Sequence, residues 1–274
     1  MKNILPVYKP IGKTPLEVIR DLQASDPHYT NKRIGYAGRL DPMADGLLIL
    51  LIEEANNDRK TYERMQKEYV FEVLFGVATD SYDILGKITT SVCPVHFSDS
   101  VRSNQPTFSS RFSDIIPIIE EYLQGLIGTQ IQAYPPYSSP RVNGRPLFYW
   151  AREGRLNEIT IPEKEITIFE TELIELRSIE TNQMLSQIEK RINLVHGEFR
   201  QKECISSWQQ TVVELDCDHL PIARIRIRCS SGTYIRSIAH QMGIDLGVAA
   251  AAYRITRTRV DSISLTSLPE PHNL

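Results

Sequence analysis

The sequence predicts an α+β fold with a mixed or antiparallel central sheet flanked by helices. Segments with the two-residue alternation of strands and segments with the apolar spacing of helices both occur, and they intermix without a regular strand–helix–strand rhythm. The 274 residues, 41% hydrophobic and 24% charged, suffice for one large globular domain. We find no internal repeat that would indicate a solenoid.

The first predicted element is a short amphipathic helix. Thr14 is suited to the N-cap, Pro15 to the first helical position and Glu17 to closing a capping box. The helix should run to about Gln23. Its apolar positions, expected to be buried, are Leu16, Ile19 and Leu22.

Buried strands are predicted after this helix. We expect the glycine-punctuated stretch from Gly35 to Asp45 to be a loop that leads into a buried strand at 47–52. Residues 69–75 alternate well enough for a second strand, and the Asp-rich residues 79–83 predict a turn. Residues 93–113 are rich in Ser, Pro and Asn, which is typical of a flexible insertion.

The second half repeats this mixture of helices and strands. Residues 114–124 have helical spacing, with Pro117 tolerable only in the first turn. Gly154 should end a short helix over 146–152. The remaining predicted elements are strands at 166–176 and 223–229 and a helix at 233–246. In the strand at 223–229, three apolar residues face one side and three arginines the other: Ile225, Ile227 and Cys229 against Arg224, Arg226 and Arg228.

Charge is segregated along the chain although the net charge is only −3. Residues 224–259 contain seven arginines and one acid, a net charge of +6, and residues 134–155 carry +3. Residues 158–218 carry −7. A phosphate backbone responds to such local fields, so the basic segments are candidates for nucleic-acid contacts. Alternating arginines can equally well solvate one face of a sheet, and composition does not decide between these two interpretations.

Composition also bears on location and on metals. The longest apolar run, residues 46–52, is far shorter than the roughly 20 residues that cross a bilayer. The first residues lack a secretory apolar region, so we expect a cytoplasmic protein with reduced cysteines. Cys204, Cys217 and His219 could surround a zinc ion, but no CxxC pair supports this and we expect no metal.

The most informative stretch for chemistry is residues 35–46. Asp41 lies between glycines and is followed by Pro42, so its carboxylate would be presented from a rigid loop next to a buried strand. Because Asp-Pro is also a common turn pair, this stretch alone favours a structural interpretation.

Five ordered blocks make the sequence resemble the TruB family of tRNA pseudouridine-55 synthases. The blocks cover residues 9 to about 257, and chance agreement of all five is not credible. They are KPxGxT from Lys9, GxLDPxAxG from Gly38, KxY…GxxTDxxD from Lys67, QxxPPxS…G…ARxG from Gln132, and CxxGTYIR from Cys229.

The resemblance implies an isomerisation that breaks a glycosidic bond, turns the uracil and forms a carbon–carbon bond without a cofactor. Asp41 matches the catalytic carboxylate, and Arg236 matches the arginine that pairs with it and keeps it ionised. Tyr69 matches the aromatic residue that stacks on the target base. The remaining residues that we predict to bind substrate are Tyr36, Arg39, Leu40, Lys67, Arg141, Ile255 and Arg257. For Leu40 and Ile255 core packing is an equally good interpretation.

The implied substrate is a uridine in the T-loop of tRNA, which must be flipped out of its stack to reach Asp41. We expect the arginines of residues 224–259, together with Arg141 and Arg145, to contact phosphates. Residues 1–262 are expected to form the catalytic domain, with insertions near 93–113 and 178–215 and a short tail at 263–274. We expect a monomer.

Three departures from the family pattern keep alternatives open. Tyr36 stands where the family usually has His, and Asp45 stands in place of Thr and adds a second carboxylate near Asp41. We also expect only the short tail at 263–274 where bacterial relatives usually carry a small C-terminal RNA-binding domain. The chain could therefore modify a different RNA, or it could be an RNA-binding or tRNA-folding protein without catalysis. Retention of Asp41, Tyr69 and Arg236 together favours an enzyme.

Overall fold

The computed structural model describes residues 3–93, 112–215 and 217–268. In the first half it contains β1 (Ile4–Lys9), α1 (Pro15–Ser25), β2 (Ile34–Ala37), β3 (Ala44–Ile52), α2 (Arg59–Arg64), β4 (Lys67–Phe75), β5 (Val77–Thr79), β6 (Ile88–Ser91) and α3 (Phe112–Gly125). In the second half it contains β7 (Gly128–Ala133), β8 (Arg141–Val142), β9 (Arg145–Pro146), α4 (Leu147–Arg152), β10 (Glu163–Glu180), α5 (Thr181–Asn193), α6 (Gln201–Glu214), β11 (His219–Cys229), α7 (Ile235–Asp245), β12 (Ala250–Val260) and β13 (Ile263–Ser264). The predicted α+β class is confirmed.

A nine-stranded sheet organises the described residues. Its strand order is β1-β3-β12-β4-β11-β10-β7, with β2 added beside β3 and β13 beside β12. Neighbouring strands are antiparallel except β12 and β3, which are parallel, so the sheet is mixed. Side chains alternate between the faces of a strand, and Ile225, Ile227 and Cys229 of β11 are fully buried as predicted.

Two groups of helices cover the sheet. Helices α3 and α7 pack on the apolar side chains of β4, β11 and β12 and close the largest core cluster. Helices α5 and α6 pack against each other and form a second cluster with Leu74, Ile84 and Tyr253. A hydrogen bond ties this second cluster to the residue that follows the Asp-rich turn. Trp208 Nε1 donates to the carbonyl of Ile84 at 3.1 Å.

Helix α1 begins as predicted but buries a different face. Thr14 caps it, and Glu17 completes the capping box by accepting from the Thr14 amide at 2.6 Å. The prediction that Leu16 is buried is wrong, because its side chain is 55% exposed. The face toward β3 carries Val18 and Ile19. Residues two apart lie on nearly opposite sides of a helix, so Leu16 points away from the sheet.

Two other predicted segments have different bounds in the structure, and a third lies mostly outside the described residues. Residues 35–37 belong to β2 because they pair with β3, and residues 44–45 begin β3 because they pair with β12. The predicted loop at 35–45 is therefore reduced to residues 38–43. Helix α3 begins at Phe112, which places Pro117 in its second turn instead of its first. Of the predicted insertion at 93–113, residues 94–111 lie outside the described part of the chain.

Candidate active site

The loop that carries Asp41 is held rigidly between β2 and β3. Gly12 donates its amide to the carbonyl of Pro42 at 2.8 Å, and Ala44 donates to the carbonyl of Asp41 at 3.0 Å. Gly38 starts the loop with a φ of +74°, a backbone conformation that glycine adopts without strain. Few degrees of freedom therefore remain for the backbone around Asp41.

Arg257 supports this loop from the sheet below. Its guanidinium donates to the carbonyl of Leu47 at 2.7 Å and to those of Arg39 and Gly38 at 3.3 Å each. The side chain is 1% exposed. These hydrogen bonds brace the Asp41 loop, and the predicted role of Arg257 in binding substrate stays a prediction.

Asp41 and Arg236 form the ion pair that the sequence motifs predict. Arg236 Nε donates to Asp41 Oδ2 at 2.8 Å. The Arg236 side chain is 4% exposed and that of Asp41 is 42% exposed, so the carboxylate stands at the mouth of a buried guanidinium site. A charge-assisted hydrogen bond from a buried arginine fixes the carboxylate in one orientation and leaves its second oxygen accessible.

The other two nitrogens of the Arg236 guanidinium donate to backbone carbonyls in two further loops. Nη1 donates to the carbonyl of Ser81 at 2.7 Å and Nη2 to that of Tyr137 at 3.2 Å. Asp83 Oδ2 lies 3.6 Å from Nε. The guanidinium therefore joins the Asp41 loop, the Asp-rich turn and the loop around Tyr137.

Asp83 is a second carboxylate in the site. It is the last residue of the GxxTDxxD block, and the sequence alone assigned it no role. Ser81 Oγ donates to Asp83 Oδ1 at 2.7 Å, and the Leu85 amide donates to the same oxygen at 3.0 Å. Burial raises the pKa of Asp83, although Arg236 acts in the opposite direction. Burial alone would lower the pKa of Arg236, but Asp41 and Asp83 more than offset it and the pKa is raised. Arg236 thus stays charged in a desolvated position.

Tyr69 lies in the same core cluster as Leu40 and Ile255. All three side chains are buried, with exposures of 9%, 5% and 7%. Burial raises the pKa of Tyr69, with Arg257 beside it acting in the opposite direction, so the phenol is neutral at physiological pH. These three residues are part of the core in this structure, and stacking of Tyr69 on a base stays a prediction.

Lys67 is buried at the start of β4, and within the described part of the chain its side chain donates to backbone carbonyls. Its Nζ donates to the carbonyls of Glu63 and Met65 at 2.6 Å each. Burial lowers its pKa to about 8. Lys67 Nζ lies 4.0 Å from the point that a Cβ at position 38 would occupy, so Lys67 underlies the start of the Asp41 loop.

The remaining predicted site residues lie further out. Arg39 is exposed and donates to Ser139 Oγ at 2.6 Å, which links the Asp41 loop to the loop after Tyr137. Arg141 is exposed and donates to the carbonyl of Gly144 at 3.1 Å. Tyr36 packs with the cluster around Leu48 and Leu50, and the guanidinium of Arg59 lies 5.9 Å from its ring centre.

Asp45 is separated from solvent, unlike Asp41. Its side chain is 2% exposed, and Oδ2 accepts from Arg254 at 3.1 Å and from the Tyr8 hydroxyl at 3.4 Å. The second carboxylate of this segment is therefore buried and takes part in an ion pair with Arg254, whose side chain is about half exposed.

Most arginines of residues 224–259 are paired within the protein, so the prediction that this segment supplies phosphate contacts is not supported. Arg226 is ion-paired with Glu172, and Arg228 donates to Glu170 at 2.6 Å. Strand β10 is the antiparallel neighbour of β11, and its glutamates lie opposite these arginines. For these two arginines the interpretation as one face of a sheet holds, because cross-strand ion pairs join them to glutamates of the acidic segment.

Two general features of the described residues complete the description. No three His, Cys, Asp or Glu side chains among them are grouped so that they could hold a metal ion. None of the described helices is both long and apolar enough to span a bilayer.

Comparison with known proteins assigns a family to this site. The sequence pattern of the TruB family pseudouridylate synthase N-terminal domain matches residues 27–199, which include Asp41, Tyr69 and Asp83. A tRNA pseudouridine synthase B of Protochlamydia amoebophila is 29% identical over 97% of this chain and 76% of its own length. One of Opitutus terrae is 28% identical over 97% of this chain and 83% of its own length.

Among solved structures, a chain of a Cbf5-Nop10-Gar1 complex superimposes with a TM-score of 0.49 at 18% identity, over 94% of this chain and 48% of its own length. The family match covers more than half of the chain and contains the loop that presents Asp41. The chain belongs to the TruB family of pseudouridylate synthases.

Proposed function

We propose that this protein is a tRNA pseudouridine synthase that isomerises a uridine of the T-loop, position 55, and that Asp41 is its catalytic carboxylate. The relatives that match nearly the whole chain carry the name tRNA pseudouridine synthase B. The observation that carries the proposal is the pair formed by a 42% exposed Asp41 and a 4% exposed Arg236. Such a pair presents a charged, oriented carboxylate to a bound substrate.

The reaction needs a nucleophile and an apolar binding wall. The bond between C1′ of the ribose and N1 of uracil breaks, the uracil turns, and C5 bonds to C1′. The hydrogen at C5 is lost to solvent and a proton is taken up at N1, so the product is an isomer of the substrate. Asp41, with one oxygen held by Arg236 and the other accessible, attacks the sugar or the base and holds the intermediate during the rotation.

Arg236 and Tyr69 have distinct roles in this proposal. Arg236 acts as a positioning residue: it donates to Asp41, and its planar guanidinium sets the direction of the carboxylate. Tyr69 stacks on the flipped uracil and, as a neutral phenol, can exchange a proton with the ribose. Stacking offsets part of the few kcal/mol that unstacking the base costs.

The basic segment at 134–155 is the proposed surface for the RNA backbone. Arg145 lies 4.2 Å from the ring centre of Tyr149, and Arg152 lies 5.5 Å from that of Phe148. Together with exposed Arg141, these guanidinium groups stand on β8, β9 and α4, which follow the loop whose Tyr137 carbonyl accepts from Arg236. Arginines supported by aromatic rings are well suited to contact phosphates while flipped-out bases stack nearby.

Pseudouridine formation on an unmodified tRNA transcript, mapped at nucleotide resolution, tests the proposal. Asp41→Asn should abolish product and leave RNA affinity largely unchanged. Asp21→Asn is a matched control, because Asp21 is also ion-paired and its side chain is 43% exposed. Product at a site outside the T-loop would identify another RNA position as the target. Binding without product in the wild type would refute catalysis and favour an RNA-folding role.

A further inference from the structure

An ion pair outside the proposed catalytic residues joins the α5–α6 helices to the active site. Arg200 donates to both oxygens of Asp80, from Nη1 at 2.7 Å and from Nη2 at 3.1 Å. The guanidinium also lies 4.2 Å from the ring centre of Tyr137, whose hydroxyl donates to Asp80 at 3.2 Å. Three residues from separate segments, each largely removed from solvent, thus form one closed set of contacts, which we call the Arg200 clamp.

The clamp ties together the two loops that hold Arg236. Asp80 is adjacent to Ser81, whose carbonyl accepts from Arg236 Nη1 at 2.7 Å. The carbonyl of Tyr137 accepts from Arg236 Nη2 at 3.2 Å. Two of the three hydrogen-bond acceptors of Arg236 therefore belong to the loops that Arg200 joins. The third acceptor is Asp41 itself.

The backbone at Arg200 is strained. Arg200 has a φ of +61°, the left-handed conformation that non-glycine residues adopt at a cost. It immediately precedes α6, and one face of that helix follows the Asp-rich turn and the strand after it. Cys204 Sγ donates to the carbonyl of Leu85 at 3.3 Å, and Ser207 Oγ accepts from the Ile88 amide at 3.0 Å. The strained residue lies where the helix meets the turn that contacts Arg236.

We propose that Arg200 is a positioning residue of the active site, which acts through Ser81 and Tyr137 on Arg236 and so on Asp41. The bidentate pair with Asp80 fixes the distance between the two loops, and their carbonyls then set the plane of the Arg236 guanidinium. Residues 178–215, expected from the sequence to be an insertion, would in this way contribute to catalysis without touching RNA. The proposal rests on the proposed pseudouridine synthase activity.

Arg200→Gly tests the proposal, because glycine removes the guanidinium and also relieves the left-handed backbone. We expect kcat to fall on the order of 10²-fold, as for other distant changes that displace a reacting group, while KM for tRNA stays unchanged. Arg200→Lys restores one of the two contacts with Asp80 and should recover part of kcat. Arg228→Ala is the control, since Arg228 also pairs with a glutamate and lies 5.2 Å from an aromatic ring centre.

A second measurement does not depend on the substrate. In protein with ¹⁵N-labelled arginine, the buried Arg236 guanidinium should give a signal protected from hydrogen exchange in the wild type and in Arg228→Ala, and should lose that protection in Arg200→Gly. An inactive wild type would refute the proposed function and leave this arm intact. Wild-type kcat or wild-type protection in folded Arg200→Gly would overturn the positioning role, as would a fall in thermal stability alone.

Discussion

Replacing Arg236 by lysine tests whether the shape of this side chain, beyond its charge, is needed. Arg236 donates from three nitrogens to Asp41, Ser81 and Tyr137, at 2.8, 2.7 and 3.2 Å. These acceptors come from three different segments of the chain. A lysine has one nitrogen on a flexible chain and can occupy only one of the three donor positions.

The expected loss follows from the contacts that lysine cannot make. If the ammonium reaches Asp41, the carbonyls of Ser81 and Tyr137 are left unpaired in a buried site. Each unpaired buried acceptor costs about 1–3 kcal/mol, so the variant should be destabilised by about 2–6 kcal/mol. The Asp41 carboxylate would also lose its fixed direction, and a displacement of about 1 Å at a reacting group lowers the rate on the order of 10²-fold.

Single-turnover kinetics with enzyme in excess separates the two effects. A tRNA transcript tritiated at C5 of uridine releases tritium when C5 bonds to the ribose, so the rate reports the chemical step. Thermal unfolding of the same protein reports stability. Arg226→Lys is the control, because Arg226 makes a half-exposed ion pair with Glu172 on the sheet face. A folded Arg236→Lys protein with the wild-type rate would refute the orientation argument.

Three other predictions follow from single side chains. Gly46→Ala should lower the free energy of unfolding, measured in urea, by about 2–6 kcal/mol, because Gly46 has a φ of +107° and a Cβ there would overlap the paired backbone of β12. Gly154 also has a positive φ but has open space around it, so Gly154→Ala should lower the free energy of unfolding by less. Equal losses in the two variants would contradict the overlap. Thr14→Ala should remove the capping box and lower Tm by roughly 2–4 °C for about 1 kcal/mol, and an unchanged Tm would count against it. Burial raises the pKa of Cys204 to about 12 and that of Cys229 to about 11, so both thiols are protonated at pH 8. Both should therefore be alkylated far more slowly in native than in urea-unfolded protein, and equal alkylation rates measured by mass spectrometry would refute this.

The fold class was predictable because local pattern and buried contacts agree along most strands. In β11 the alternation of isoleucine with arginine corresponds to one buried and one exposed face. Local pattern fails where tertiary pairing decides the outcome. Residues 35–37 look like a loop because of Gly35, but hydrogen bonds to β3 make them a strand. Leu16 fits an apolar helical position, yet the direction of β3 determines which face of α1 is covered.

The candidate site was predictable where a motif fixes both residue type and spacing. Asp41 and Arg236 are 195 positions apart, and only the resemblance to a family brings them together in advance of the structure. Charge counting was misleading for the arginines of β11, because their partners are glutamates on β10 that no local window includes. The Arg200 clamp was not predictable, since it joins residues more than a hundred positions apart without a recognisable motif.

The central claim is that Asp41 is the carboxylate that forms pseudouridine in the T-loop of tRNA. The most direct measurement compares wild type, Asp41→Ala and Asp21→Asn on one unmodified transcript, with pseudouridine mapped at each nucleotide. We expect product at a T-loop uridine for wild type and Asp21→Asn, no product for Asp41→Ala, and similar tRNA affinity for all three. Product from Asp41→Ala at the same position would contradict it.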